Sequence, residues 1–272
     1  MILKGMTWSH DRGVKPLLAA SKIFSERHPE VTIEWDARSL SDFELFPLEQ
    51  LAGKYDFIMI DHPHIGTAYA QNLLKPLDEL LPESFIENQR SNAVGLSHES
   101  YWWKGHQWAL AADAAAQVSA FREDLMDQLG CKVPVTWSDV FDLADSLPRG
   151  KKMAIPFVPV HAYSSFFSLC SQFSHKPFWT IGEELEVSVG SEVLKLLAKL
   201  LSRSHSGSYD MDPIQMLDKM AQTDELVYCP LVYGYSAYSM DGFLAHPVKF
   251  HRMPSSTGKP EGSMIGGVGL SV

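Results

Sequence analysis

Three short stretches gather side chains able to hold a polar molecule. Trp8-Ser9-His10-Asp11-Arg12-Gly13 offers an indole, an imidazole and a guanidinium close together, and Asp61-His62-Pro63-His64 adds a carboxylate and further imidazoles. Tyr233-Gly234-Tyr235, with Tyr238 just beyond, pairs aromatic rings with a glycine that lets backbone come close to a bound molecule. Flat rings cover the apolar faces of a solute, while Asp, Arg and His supply fixed donors and acceptors for its hydroxyls. The chemistry this suggests is non-covalent capture of a small polar molecule. Trp8, His10, Arg12, Asp61 and His62 are therefore candidate ligand residues, as are Tyr233 and Tyr235. Trp108 and Asp113 join them. Asp113 stands among alanines, where an isolated carboxylate needs a partner. Tyr163, beside His161, opens an apolar stretch, and the helix start there could receive an anionic group. Gly266 and Gly267 either present backbone N–H groups or simply turn the chain. Structural roles compete throughout: Trp8 as a half-buried loop residue, Asp61 as a turn cap before Pro63, Trp108 as a wedge in the fold.

Catalytic and metal chemistry find less support. Eleven histidines invite a metal reading, yet His62-Pro63-His64 has no His-Glu-x-x-His and no tight His/Cys/Asp cluster beside it. Cys131, Cys170 and Cys229 are odd in number, widely spaced and without a Cys-x-x-Cys pair, so they read as core residues. No phosphate-cradling Gly-x-x-x-x-Gly-Lys loop occurs, and no Gly-x-Ser-x-Gly elbow. No catalytic residue, no metal ligand and no cofactor is assigned.

The 272 residues suffice for two cores of ordinary domain size, and 45% hydrophobic with 21% charged residues is the make-up of a folded globular chain. A net charge of −10 argues against nucleic acid, which demands a cationic face. No apolar run is long enough to span a bilayer, so direct membrane insertion is not expected. Residues 1–30 lack the apolar core of a signal peptide.

The elements that must position these residues alternate between strand and helix, the pattern of an α/β fold. Ile2–Trp8 reads as a first strand, and Val14, Leu17, Leu18 and Phe24 keep helical spacing up to His28-Pro29. Val31, Ile33 and Trp35 alternate as in a half-buried strand, and a helix is expected over 40–52. Phe57-Ile58-Met59-Ile60 is wholly apolar, as in a buried parallel strand. Ligands of open α/β sheets bind beyond the carboxyl ends of strands, which singles out the loops after Trp8 and at Asp61. Helices follow at 66–71 and 85–93, a turn and strand at 104–110, a strand at 117–121 and a helix at 124–129. Thr136 with Asp139 forms a capping box for a helix whose apolar face is Trp137, Val140, Phe141, Ala144 and Leu147. A strand is expected at 153–158, helices at 163–173 and 193–201, a helix capped by Asp212-Pro213, and a strand at 226–232.

In this order the features resemble one family, the extracellular (periplasmic) solute-binding proteins of sugar-type ABC transporters. The resemblance is carried by Gly105-His106-Gln107-Trp108-Ala109-Leu110, Asp113, Phe121-Arg122-Glu123-Asp124-Leu125, Pro134-Val135-Thr136-Trp137 and the late Gly266-Gly267-Val268-Gly269-Leu270-Ser271-Val272. It implies a two-lobed periplasmic binding protein-like type II fold, each lobe a mixed, mainly parallel sheet flanked by helices. The first lobe would span 1–112 and the second 113–260, with crossover strands near 107–121. Residues 261–272 would form a strand returning to the first lobe. The family binds its solute in a cleft between lobes that closes by hinge motion and delivers it to ABC permease subunits. That places such proteins in the periplasm or outside the cell. The chain departs from the family in lacking a signal peptide, so a cytoplasmic location stays open. It also lacks the helices that usually follow the Gly-Gly-x-Gly strand, which reads as a C-terminal truncation.

The expectation is thus a substrate-binding component of an ABC importer, not an enzyme, taking a carbohydrate or polar organic acid. The alternative is a cytoplasmic enzyme or ligand sensor on the same fold, in which His10, Arg12, Asp61 and His62 would polarise or deprotonate a bound acid.

Overall fold

A computed structural model describes residues 1–39, 47–174, 178–179, 184–259 and 261–272. The chain divides into two compact units, one built from 1–114 and 265–272, the other from 115–264.

The first unit holds a five-stranded mixed sheet. Strands β1 (Ile2–Trp8), β2 (Thr32–Arg38) and β3 (Phe57–Asp61) run parallel in the order β2-β1-β3. Beyond β3 the return strand Val268–Ser271 pairs antiparallel, opposing Val268 to Asp61, and Leu110–Ala111 closes the far edge. Helix α1 (Asp11–Arg27) connects β1 to β2, as parallel pairing requires. Of the helix expected over 40–52, the segment Leu48–Ala52 is helical, and 40–46 lies outside the described residues. Met6, Ile58, Ile60, Ile65, Ala109 and Val268 share one core with Trp8 and Trp108. Burying such a side chain contributes roughly 1.5–3 kcal/mol each. The stretch expected to run as one strand into Leu110 is broken. His106–Gln107 pairs back on Trp102–Trp103 across a turn at Lys104 and Gly105, both at positive φ, and Trp108 then drops into the core.

In the second unit the sheet order is Lys249–His251, Ala115–Phe121, Leu226–Tyr233, Lys152–Met153. Two of these pairings are antiparallel, and only Lys152–Met153 with Leu226–Tyr233 is parallel, where a mainly parallel sheet was expected. Leu226–Tyr233 divides its side chains between two cores. Val227, Tyr228 and Leu231 face the helices Trp137–Ser146, Pro159–Phe173 and Val187–Leu201, while Cys229 and Val232 pack against Pro213–Gln222. The expected capping box at Thr136 forms, and the Asp212 cap proves to be a box as well. Asp139 N–H donates to Thr136 Oγ1 at 3.1 Å and Thr136 N–H to Asp139 at 2.9 Å; Asp212 and Gln215 exchange the same pair. The backbone N–H of Thr136, with that of Val135, holds the Asp139 carboxyl below the usual carboxylate range.

The strand expected over 153–158 ends at Met153. Ala154 still donates to Tyr228 O, but Pro156 has no N–H, and Ile155 and Phe157 donate to Ser208 instead of a neighbouring strand.

Candidate functional site

The loop after β1 is built around the start of α1. His10 has extended backbone and caps the helix, its Nδ1 accepting from Arg12 N–H at 3.1 Å. That fixes the first turn from which the Arg12 side chain leaves. Gly13 lies against the face of Trp8, whose ring atoms would stand 2.6 Å from a Cβ there. Trp8 is 4% exposed, so it serves the core that holds this loop in place.

Arg12 reaches Asp113, distant in sequence. Its Nε donates to Asp113 Oδ1 at 2.9 Å and a terminal nitrogen donates to Oδ2, a fork-to-fork pair with both side chains mostly buried. The partner that an isolated Asp113 needed is therefore this guanidinium. Asp113 is positioned by the return strand, because the N–H groups of Ala112 and Asp113 both donate to Val268 O. Gly267 precedes that residue at φ +113°, and a Cβ there would meet Ala114 Cα at 2.8 Å. Gly267 thus both turns the chain and lets two backbones touch.

Asp61 closes β3 directly opposite Val268. Its carboxyl makes no hydrogen bond or ion pair among the described residues. Burial, reinforced by the charge of Asp113, pushes it up to about 7. His62 beside it is held below its ordinary value, first by burial and then by His64. Tyr101 lies edge-on to His62 at 6.3 Å, and its hydroxyl donates to Ile60 O at 3.3 Å and Gly267 O at 3.2 Å. Burial, with Asp61 and Asp113 adding to it, raises the phenol far above its usual value, so it stays protonated. The resulting cluster of Arg12, Asp61, His62, Tyr101, Asp113 and Gly267 lies at the carboxyl ends of β1 and β3.

Trp108 takes no visible part in it. It is 4% exposed, donates from Nε1 to Trp103 O at 2.9 Å, and is met edge-on by Tyr69 and His106. Gly266 is a strand residue of Ile265–Gly266. A cavity of about 220 Å³ beside Asp113, lined also by Asn92, Ser97 and His98, is smaller than ordinary ligand pockets of ~300–1,000 Å³.

The second unit places its own candidates apart by role. His161 is buried in Pro159–Phe173, edge-on to Tyr233 at 6.0 Å, and burial lowers its pKa to about 4. Tyr163, on the next exposed position, packs on Phe167 with ring centres 4.4 Å apart. Tyr235 is 8% exposed and belongs to the core with Tyr238, whose hydroxyl donates to Asp218 at 2.6 Å. Gly234 accommodates Val118, which a Cβ would approach to 3.2 Å.

Tyr101 is the residue that sequence reasoning passed over. Its neighbours Trp102 and Trp103 make the stretch look like surface aromatics, and nothing in the spacing signals that one hydroxyl is buried against two carbonyls. Among the described residues, no group of three or more His, Cys, Asp or Glu side chains is arranged to hold a metal ion.

The electrostatics make a first prediction. Unfolded aspartate titrates near about 3.9, so Asp61 binds its proton more tightly in the folded chain. That stabilisation is complete below the unfolded value and is lost as pH rises through about 7. With Asn standing in for the neutral carboxyl, the stability advantage of Asp61→Asn over the parent should already exist near pH 5 and grow by roughly 2 kcal/mol by pH 7.5. Melting curves of both proteins across that range check this; parallel pH profiles would show that folding does not raise the titration of Asp61.

No protein-family model matches the chain. A mannitol-binding protein of Pseudomonas aeruginosa is 28% identical over 135 residues, 47% of this chain and 30% of that protein. The aligned stretch thus spans less than a third of the curated relative. Among solved structures, an ABC transporter solute-binding protein of Agrobacterium radiobacter K84 in complex with ribitol superposes with a TM-score of 0.79 at 17% identity, covering 100% of this chain and 71% of that one. Its counterpart from Agrobacterium vitis S4 with bound D-mannitol gives 0.77 at 14% identity, with 100% and 68% covered. One from Thermotoga lettingae TMO bound with α-D-tagatose gives 0.82 at 14% identity, with 100% and 72% covered. The chain has the α/β, periplasmic binding protein-like fold of these solute-binding proteins.

Proposed function

We propose that the chain is the substrate-binding component of an ABC importer and captures a small polyhydroxylated solute, an alditol or sugar. The observation that carries this reading is the cluster at the carboxyl ends of β1 and β3, where Arg12 is fixed on Asp113 and, among the described residues, no partner bonds the Asp61 carboxyl. Such a set suits hydroxyl groups, which both donate and accept. The fold shared with ligand-bound sugar and polyol proteins along the whole chain supports it, as does the mannitol-binding relative. Within the second unit, Tyr163 and Tyr233 are proposed to offer ring surface, whereas Tyr235 belongs to the core. The role is binding without catalysis, in the periplasm or outside the cell, with permease subunits as partners and no nucleic acid. No described helix is long and apolar enough to cross a membrane.

A thermal-shift and calorimetric panel of ribitol, D-mannitol, D-tagatose, maltose and small dicarboxylates tests the proposal. At least one polyol or sugar should raise the melting temperature, and Arg12→Ala should weaken its binding at least about tenfold, the loss of a charge-assisted pair. A folded chain stabilised by none of these solutes, or only by carboxylates, would overturn it.

A further inference from the structure

The charges in this cluster are uneven, and the consequence deepens the proposed capture role, on which it rests. Arg12 supplies the guanidinium facing the cluster from α1, and two of its nitrogens are engaged with Asp113. Among the described residues, Asp61 has no cation of its own. Asp113 faces it from the segment before the second unit, and the phenol of Tyr101 gives its hydrogen to Ile60 and Gly267 carbonyls. His62 and His64 follow it on its own turn, and His62 is disfavoured as a cation by burial. The opposing return strand, Val268–Ser271, brings no ionisable side chain. Ionising Asp61 therefore sets one more negative charge beside Asp113 in a partly dry place, with no further cation to answer it among the described residues.

A polyhydroxylated solute changes that balance. Hydroxyl hydrogens aimed at a carboxylate stabilise its ionised form. We infer that Asp61 carries a proton in the free protein and releases it when a neutral polyol binds, so that capture strengthens as pH rises. The carboxyl O–H bond breaks, its proton passes to solvent, and the resulting carboxylate accepts hydrogen bonds from the solute hydroxyls. The upward shift of Asp61 to about 7 sets the range, with affinity rising up to about tenfold per pH unit below it and levelling above.

The test is titration calorimetry of the full chain with D-mannitol or ribitol at about pH 5.5, 6.5 and 7.5, in two buffers of different ionisation enthalpy. The inference expects the dissociation constant to fall at least about fivefold over that range and the observed heat to depend on the buffer. Asp61→Asn should still bind, with neither dependence. Asp113→Asn should keep the slope but shift it to lower pH, because it removes the like charge and frees Arg12. Binding with a flat pH profile, or a slope that survives Asp61→Asn, overturns proton linkage and leaves the capture role standing. Absence of polyol binding at every pH instead removes the capture role and this inference together. If Asp61→Asn does not fold, the displaced slope of Asp113→Asn decides.

Discussion

Arg122→Met is expected to lower the stability of the second unit by about 3 kcal/mol, the lower end of what breaking a buried ion pair costs. Arg122 is fully buried, and every one of its side-chain donors is used. Nε and one terminal nitrogen bind Asp124 at 2.7 and 2.6 Å, the same nitrogen meets Asp224 at 3.1 Å, and the other donates to Met220 O and Thr223 O at 2.9 Å each. One side chain thereby ties the start of Glu123–Gln128 to the carboxyl end of Pro213–Gln222, where a cation is also favoured by the helix dipole. The carboxylates are 45% and 62% exposed, so water would take over their charge, which is why the lower figure applies. The two carbonyls would lose their donor outright. Arg122→Lys should recover only part, since an ammonium has three donors and no planar fork. Denaturant unfolding should show the midpoint fall with an unchanged slope, and the melting temperature should drop by about 6–12 °C. A loss under about 1 kcal/mol would mean that Arg122 is not the tie described.

Gly267→Ala should be nearly as damaging, at about 3 kcal/mol, and should weaken ligand capture as well. Two effects combine. The backbone at φ +113° is closed to residues with a side chain, and the added methyl would stand 2.8 Å from Ala114 Cα and 2.9 Å from the Asp113 carbonyl carbon. Those atoms are backbone and have no rotamer to yield. Relief must come from moving the segment that carries Asp113, which would pull the carboxylate from Arg12 and the Gly267 carbonyl from Tyr101. Gly262→Ala is the control, because nothing lies within 4 Å of a Cβ there and its φ is ordinary. It should unfold within about 0.5 kcal/mol of the parent protein. Equal stability of the two variants would show that the return strand does not need this glycine.

Much of the α/β framework can be read directly from residue pattern. Ile2–Trp8 is a strand because its inward residues are apolar, and Phe57–Asp61 because an unbroken apolar run suits a strand covered on both faces. The helix starts at Thr136 and Asp212 are visible because capping is local chemistry between residues three apart. Strand extent is not local, which is why 153–158 misled: its side chains are apolar enough, but Pro156 and the competing acceptor Ser208 end the ladder.

The same division runs through the candidate site. The sequence by itself determined that polar and aromatic residues follow β1 and β3, that Asp113 needed a partner, and that no familiar catalytic or phosphate-binding motif is present. Only the tertiary structure decided that the partner is Arg12, that Trp8 and Trp108 spend their faces on the core, and that Tyr101 is bonded between β3 and the return strand. The physical reason is range. Periodicity and capping depend on neighbours along the chain, whereas the state of Asp61 depends on burial and on charges that meet it only after the last strand has paired with β3.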